Sequence, residues 1–367
     1  MKVVSTGKRY DLYDDSLRTY DQLPAKSYVV RFHPKMGFYL EEYAEIEVKE
    51  EKVYGCHVEK VNKVLNSFNK IERNLGVILS GDKGIGKSLF AKMLMEAAVN
   101  NNLPVIIVDS FAPGIASYLE EIEQEVLVMF DEFDKTFADI KVGENEADPQ
   151  AGLLSLFDGL SQGKKLFVVT CNSLRKLSDY LVNRPGRFHY HFRFNYPSDE
   201  QVIEYLQDKL EEQYYPEIDK VVVFSKKVNL NYDCLRAIAF ELNMGTPFEV
   251  AIQDLNIINT REQKYTVVVY CKNGKMLKRT DVSMDLFADE EVSIYFYHGG
   301  RYVATMSFNT SNCMYNPAAG QYIVKGDNID VGDLDDDDED QEKERNKYVP
   351  DYAVIIRNLD KDIHYAV

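Results

Sequence analysis

The sequence is poor in the features that would place it outside a reducing, aqueous compartment. No apolar run approaches the roughly 20 residues that a membrane-spanning helix needs. The opening residues, MKVVSTGKRYDLYDD, lack the apolar stretch of a secretory signal. Five cysteines occur in 367 residues (Cys56, Cys171, Cys234, Cys271, Cys313), with no Cys-x-x-Cys pair. An odd, dispersed set argues against a disulfide framework or a zinc knot, and a cytoplasmic location is expected. Histidine is scarce too: six, scattered, and never as His-Glu-x-x-His, so a zinc protease has no support. Basic charge is in deficit. Lys and Arg number 43 against 60 Asp and Glu, a net charge of −17. That disfavours non-specific attraction to nucleic acid or anionic lipid, without excluding a local basic channel. Much of the excess lies in one run, 333-DLDDDDEDQEKE-344.

What is present is enough for two or three domains with proper cores. A hydrophobic content of 45% is ordinary for a globular protein. Residues 1–53 read as a small N-terminal β-containing segment, in which 28-YVVRFHPKMGFYLEEY-43 splits into two strand-like runs at Pro34 and Gly37. In 57-HVEKVNKVLNSFNKIERN-74, Val58, Val61, Leu65, Phe68 and Ile71 recur at spacings of three and four, one apolar stripe on a helix. Short apolar runs then alternate with helical segments: LGVILS (75–80), PVIIVDS (104–110), EVLVMFDE (125–132), KKLFVVTCN (164–172) and FHYHFRF (188–194). This predicts parallel strands joined by crossover helices, an α/β core over residues 54–196. Residues 197–260 read as a helical lid. Ser198 with Gln201 forms a capping box before DEQVIEYLQDKLEE, DCLRAIAFELN (233–243) is a second helix, and Thr246, Pro247 and Glu249 start a third. Residues 261–367 read as a β-rich domain, with Asn273-Gly274 and Gly299-Gly300 as hairpin turns. The acidic stretch, 333–346, cannot form a core. It reads as a disordered solvated loop, or more sharply as a nucleic-acid mimic or a tether for a basic partner.

Four segments carry chemistry. In 79-LSGDKGIGKSLF-90, Gly81, Gly86, Lys87 and Ser88 fit G-x-x-x-x-G-K-[ST] between a strand and a helix. Glycine lets the backbone N–H groups of Asp82, Lys83, Gly84, Ile85, Gly86 and on to Leu89 turn inward around an anion, and the helix N-terminus adds its positive end. Lys87 would neutralise phosphate charge, and Ser88 would ligate Mg²⁺. In EVLVMFDEFDK an apolar strand ends in two acids: Asp131 would reach the metal beside Ser88 and Glu132 would polarise the attacking water, the alternative being an acidic surface turn. The order, loop first and acids later at a strand's C-terminal end, is that of ligand sites in α/β sheets. LFVVTCN ends in Asn172, which can hold that water or read the γ-phosphate, although asparagine after a strand is also a common turn residue. In NRPGRF, Arg184 and Arg187 flank a rigid Pro185-Gly186 turn, a suitable mount for stabilising a transferring phosphoryl group.

Taken in order, GDKGIGKS, VLVMFDEFD, LLSLFDG (153–159), VVTCN and NRPGRF resemble an AAA+ ATPase of the AAA clade, across roughly residues 53–260. The small N-terminal piece and GFYLEEY are similar to stand-alone AAA proteins of the Bcs1-like and bacteriophage kind. The resemblance implies a P-loop core with a helical lid, ATP and Mg²⁺ as cofactors, and a homo-oligomeric ring, often a hexamer, with nucleotide between subunits. It implies Walker A positions at Lys87 and Ser88, Walker B at Asp131 and Glu132, sensor 1 at Asn172, and arginine fingers at Arg184 and Arg187 reaching into a neighbour's site. Tyr54 and Gly55 match the backbone contact to adenine. Arg236 matches either sensor 2 or an ordinary helix-surface arginine.

The sequence departs from that pattern in places. Asp82 and Lys83 replace two prolines in the loop, and His189 replaces the usual Asp after the fingers. Only FAPGIASYLEEIEQE (111–125) stands where the family carries a longer pore-loop segment. Tyr118 reads as a core-facing helical tyrosine, or else as the translocation aromatic. The expected function is therefore an ATPase that remodels a macromolecular partner, with a protein client favoured by the acidic charge. A nucleotide-gated assembly module and a nucleic-acid-directed motor are the alternatives. For the last, the tyrosines of SIYFYHGGRYV offer a base-stacking surface, although such residues more often pack a small sheet.

Overall fold

The computed structural model describes the chain except for residues 49–51, 55–56, 138–148, 159–162, 178–180, 182–183, 258–263, 287–288, 299–300, 317–318, 320, 333–347 and 359–367. Gly55 and the acidic stretch therefore lie outside the described residues. Two compact units result, Met1–Asn195 and Tyr196–Val367.

In the first unit, β1 (Lys2–Thr6) and β2 (Arg9–Tyr13) form a two-stranded hairpin. Next come β3 (Ser27–His33), β4 (Gly37–Glu42) and α1 (His57–Lys70). After these the chain alternates: β5 (Leu75–Ser80), α2 (Lys87–Asn100), β6 (Val105–Val108), α3 (Ile115–Glu120) and β7 (Val126–Phe130). It continues with α4 (Phe133–Thr136), α5 (Pro149–Asp158), β8 (Lys165–Cys171) and β9 (Tyr190–Arg193). Seven strands make one sheet in the order β4-β3-β6-β7-β8-β5-β9. All its pairings are parallel except β3 with β4. Every residue of β5, β7 and β8 is buried, which is why these strands read as unbroken apolar runs rather than as an alternation.

The sequence sets residues 1–53 apart from the core. In the structure β3 pairs in parallel with β6, Tyr28 opposite Ile106, so the hairpin β3–β4 continues the central sheet. The stripe on α1 is also turned slightly from the expected one. Val61, Val64, Leu65 and Phe68 are buried, while Val58 is exposed. These side chains pack on α2 and the sheet through Phe90, Leu94, Val77 and Leu79. Truncating Phe68 there would cost about 3–5 kcal/mol.

The second unit begins with four helices: α6 (Asp199–Lys209), α7 (Ile218–Ser225), α8 (Tyr232–Asn243) and α9 (Phe248–Asp254). The capping box of α6 is present in both directions, Gln201 N to Ser198 Oγ and Ser198 N to Gln201 Oε1. The expected cap of α9 is displaced by one residue. Pro247 is the N-cap, because the Thr246 hydroxyl donates to Glu241 instead. Eight strands follow: β10 (Lys264–Cys271), β11 (Met276–Ser283), β12 (Glu291–His298), β13 (Arg301–Asn309), β14 (Met314–Asn316), β15 (Gln321–Lys325), β16 (Asp330–Val331) and β17 (Pro350–Arg357). They form a five-stranded sheet, β11-β10-β17-β15-β14, and a three-stranded sheet, β12-β13-β16. Val267 and Ile355 from the first and Phe296 and Met306 from the second share one core. Gly274, at φ +80, makes the β10–β11 turn, and Asn273 Oδ1 accepts from Lys275 N there. Overall the architecture is α/β: a mostly parallel P-loop-type sheet flanked by helices, a helical segment after it, and additional β-rich regions.

Candidate nucleotide site

The site is assembled at the C-terminal ends of three neighbouring strands. β8 lies between β5 and β7 in the sheet, so the segments that follow them are brought side by side: the glycine loop after β5, Asp131-Glu132 after β7, and Asn172 after β8. Gly81, Gly84 and Gly86 all have positive φ, which explains the glycine spacing. At Gly81 a Cβ would also stand 2.3 Å from the Phe194 carbonyl oxygen. Ile85 is buried and anchors the loop from beneath.

Lys87 opens α2 and is buried. Its amine donates to the carbonyls of Gly81 and Asp82 and, at 3.0 Å, to Asn172 Oδ1. Burial pushes its pKa below the usual lysine range, against the pull of the neighbouring acids. Ser88, one residue on, is exposed in the first turn of α2. Asp131 and Glu132 are tied together by Thr170. Its Oγ accepts from Glu132 N at 2.8 Å and donates to Asp131 Oδ1 at 2.7 Å. Glu132 stands in the left-handed region, φ 45°, ψ 47°, a costly conformation for a residue with a Cβ. Its carboxylate is paired with Lys135. That hydrogen bond holds its pKa below the ordinary glutamate range, with Lys83 and Asn172 acting in the same direction. Asp134 is buried and accepts from Ser173 N at 3.2 Å, which fixes the backbone just after Asn172.

The two finger candidates differ. Arg187 is buried and makes a two-pronged ion pair with Asp158. Arg184 is exposed. Gly76 in β5 allows their turn to nest on the sheet, since a Cβ there would lie 2.2 Å from the Arg187 carbonyl oxygen. Tyr54 is buried with Lys52 over its ring. Arg236 belongs to the second unit, on an exposed face of α8, 3.7 Å from Asp233. Tyr118 stacks on Phe38 at a centroid distance of 5.1 Å, and burial raises its hydroxyl pKa.

Thr170, Asp134 and Asp158 lie inside the quoted motif segments but received no role from the sequence, and His57 lies outside them. His57 packs under the loop, its Nε2 3.2 Å from the Cβ position of Gly86, with its ring against Phe90 and Phe194. Neither ring nitrogen has a hydrogen-bond partner of good geometry, and burial lowers its pKa. Among the described residues no group of three or more His, Cys, Asp or Glu can cage a metal. A serine hydroxyl and one carboxylate instead suit Mg²⁺, which keeps waters and takes phosphate oxygens rather than an all-protein cage.

The loop is also buttressed by an acid-sensitive contact. Ser80 Oγ and His191 Nε2 are 2.6 Å apart, and burial lowers the His191 pKa to about 4 from 6.5. The folded state therefore keeps this ring neutral while the unfolded chain takes a proton below pH 6.5. Its contribution is present above pH 6.5 and is lost as pH falls toward 4, amounting to up to about 2 kcal/mol at pH 5. Thermal midpoints measured at pH 7 and pH 5 are expected to fall more for the wild type than for His191→Gln. Equal losses would remove this account.

The comparisons with known proteins agree with the geometry. Residues 77–196 match the family model "ATPase family associated with various cellular activities (AAA)". An archaeal protein, the Cell division cycle protein 48 homolog of Archaeoglobus fulgidus, is 30% identical over 153 residues, 37% of this chain. The match takes in only 20% of that protein's length. Residues 77–196 are thus similar to a P-loop ATPase domain of the AAA type. No helix among the described residues is long and apolar enough to cross a membrane.

Proposed function

We propose that this chain binds and hydrolyses ATP, with Mg²⁺, at the subunit interfaces of a homo-oligomeric ring, hexameric on the family pattern, and that the cycle remodels a macromolecular partner, a protein before a nucleic acid. A cytoplasmic setting and a place among stand-alone AAA proteins of the Bcs1-like or bacteriophage kind belong to the same reading. The observation that carries it is the Lys87 amine held on Asn172, beside the Asp131–Thr170–Glu132 chain on the next strand.

In this reading the N–H groups from Asp82 to Leu89 wrap the phosphates. Lys87 exchanges its carbonyl partners for phosphate oxygens, and Tyr54 and Gly55 border the adenine. Ser88 and Asp131 would hold Mg²⁺, which supplies charge neutralisation between the terminal phosphates. Glu132, kept ionised by Lys135, takes the proton of the attacking water, and Asn172 orients that water. The finger turn packs against the start of β5, whereas the phosphate loop follows its far end. Six residues at about 3.3 Å each put roughly 20 Å between them. Arg184 is therefore assigned to a neighbour's site, and Arg187, tied to Asp158, holds the turn. Arg236 keeps two readings, the nucleotide sensor that the resemblance implies and an ordinary helix-surface arginine.

A second reading has one observation behind it. Tyr118 is stacked on Phe38, so a threading aromatic has little support, and ATP binding would organise a ring whose β-rich region recruits a partner. A trap distinguishes these. Tagged Glu132→Gln purified with Mg-ATP from its native cells, with Lys87→Ala as control, is expected to retain a protein client. Enriched nucleic acid would instead indicate a nucleic-acid motor. Recovery of the protein alone would favour the assembly reading.

A further inference from the structure

Arg73 has no role in the motif set, yet its position is distinctive. It is exposed, in the loop between α1 and β5, and its Nη1 lies 3.7 Å from where a Cβ on Gly186 would stand. It therefore lies against the Pro185-Gly186 turn that carries Arg184. Gly186 has no side chain to cover it. Arg187 on the same turn is committed to Asp158, but among the described residues Arg73 has no ion pair or hydrogen bond. In a chain with 60 acids against 43 bases, the exposed Arg73 lies beside the turn that carries the exposed Arg184, and the two add positive charge to one stretch of surface.

This stretch is held rigidly. Asn74, buried next to Arg73, donates to the Leu156 carbonyl at 3.3 Å and accepts from Lys165 N at 2.8 Å. On the other side, the Gly76 carbonyl accepts from His189 N at 2.9 Å. Both arginines thus ride on one block at the start of β5. The chain's own phosphate loop follows the other end of that strand, roughly 20 Å away by strand rise, beyond the reach of an arginine side chain.

We infer that Arg73 is a second cation which, with Arg184, enters the nucleotide site of an adjacent copy of this chain. The inference rests on the shared-site reading above. The surface it meets there has matching charge: the polyphosphate, with the exposed Asp131 behind it. Each guanidinium would donate to a phosphate oxygen as charge builds on it in the transition state.

The test is complementation between subunits. Arg73→Ala is expected to bind ATP as tightly as wild type, because its own loop is intact, and to turn over at least about ten-fold more slowly. Glu132→Gln supplies Arg73 but no base. Mixed in equal amounts, the two should form productive interfaces in about a quarter of random pairings and raise the rate well above the sum of the separate proteins. Arg184→Ala mixed with Glu132→Gln is the control for the shared site itself. Full activity of Arg73→Ala alone would overturn the inference. So would recovery with the Arg184→Ala pair but not with the Arg73→Ala pair, which would place Arg73 in its own subunit. Failure of both pairs would remove the shared site, and this proposal with it.

Discussion

Lys87→Met is expected to lose ATP binding by at least about a hundred-fold while melting, without nucleotide, at or above the wild-type temperature. The two effects have one origin. The Lys87 amine is buried, and its pKa is lowered chiefly by that burial, so the folded chain keeps a cation in a site that penalises it. A lysine whose folded pKa lies below its unfolded value lowers stability throughout the pH range in which the unfolded chain stays protonated, neutral pH included. Methionine fills the space of the stem without the charge. The same amine would make charge-assisted hydrogen bonds to phosphate. Losing two of these, at about 1.5–3 kcal/mol each, is enough for the affinity change. Thermal shift measurements show both halves. At saturating ATP the wild type should gain several degrees and Lys87→Met none. A variant that gained as much as the wild type would end the assignment of Lys87 to the phosphates. A variant that melted well below wild type without ATP would mean that the contacts to Gly81, Asp82 and Asn172 hold the loop together.

The parts of the site that were legible in the sequence are those whose chemistry is local. Gly81, Gly84 and Gly86 declare themselves because a left-handed backbone selects glycine within a few residues of Lys87. Asp131 and Asn172 are announced by the apolar runs they end, and the parallel sheet follows from such runs alternating with helices. What could not be read depends on partners far along the chain. Thr170 matters because it bridges Asp131 and Glu132, 39 and 38 residues away. Asp158 matters because it takes Arg187 out of the candidate pair, 29 residues on. Nothing in YVVRFH says that β3 pairs with β6 rather than with a separate domain. Asn273-Gly274, by contrast, fixed its hairpin without help, since the turn type needs only those two residues.

Glu132→Gln is expected to bind ATP like the wild type and to hydrolyse it about 10²–10³-fold more slowly, the usual scale for loss of a positioned base. Glu132→Gly should be equally inactive but more stable. Glu132 is one of three non-glycine residues at positive φ among those described, and glycine relieves that strain, about 1 kcal/mol, or a few degrees in melting temperature. Its exposed ion pair with Lys135 contributes too little to reverse the sign. A less stable Glu132→Gly would mean that the left-handed turn is not strained, and undiminished turnover in Glu132→Gln would remove the base assignment. The ion pair has a separate effect on pH dependence. Lys135 is the main cause of the lowered Glu132 pKa, so the base stays ionised below the ordinary glutamate range. The acid limb of kcat/KM, which reports the free enzyme, should therefore lie low and move to higher pH in Lys135→Ala. An unmoved limb in that variant would show that another group sets the ionisation, and that Glu132 reaches its working state only when nucleotide is bound.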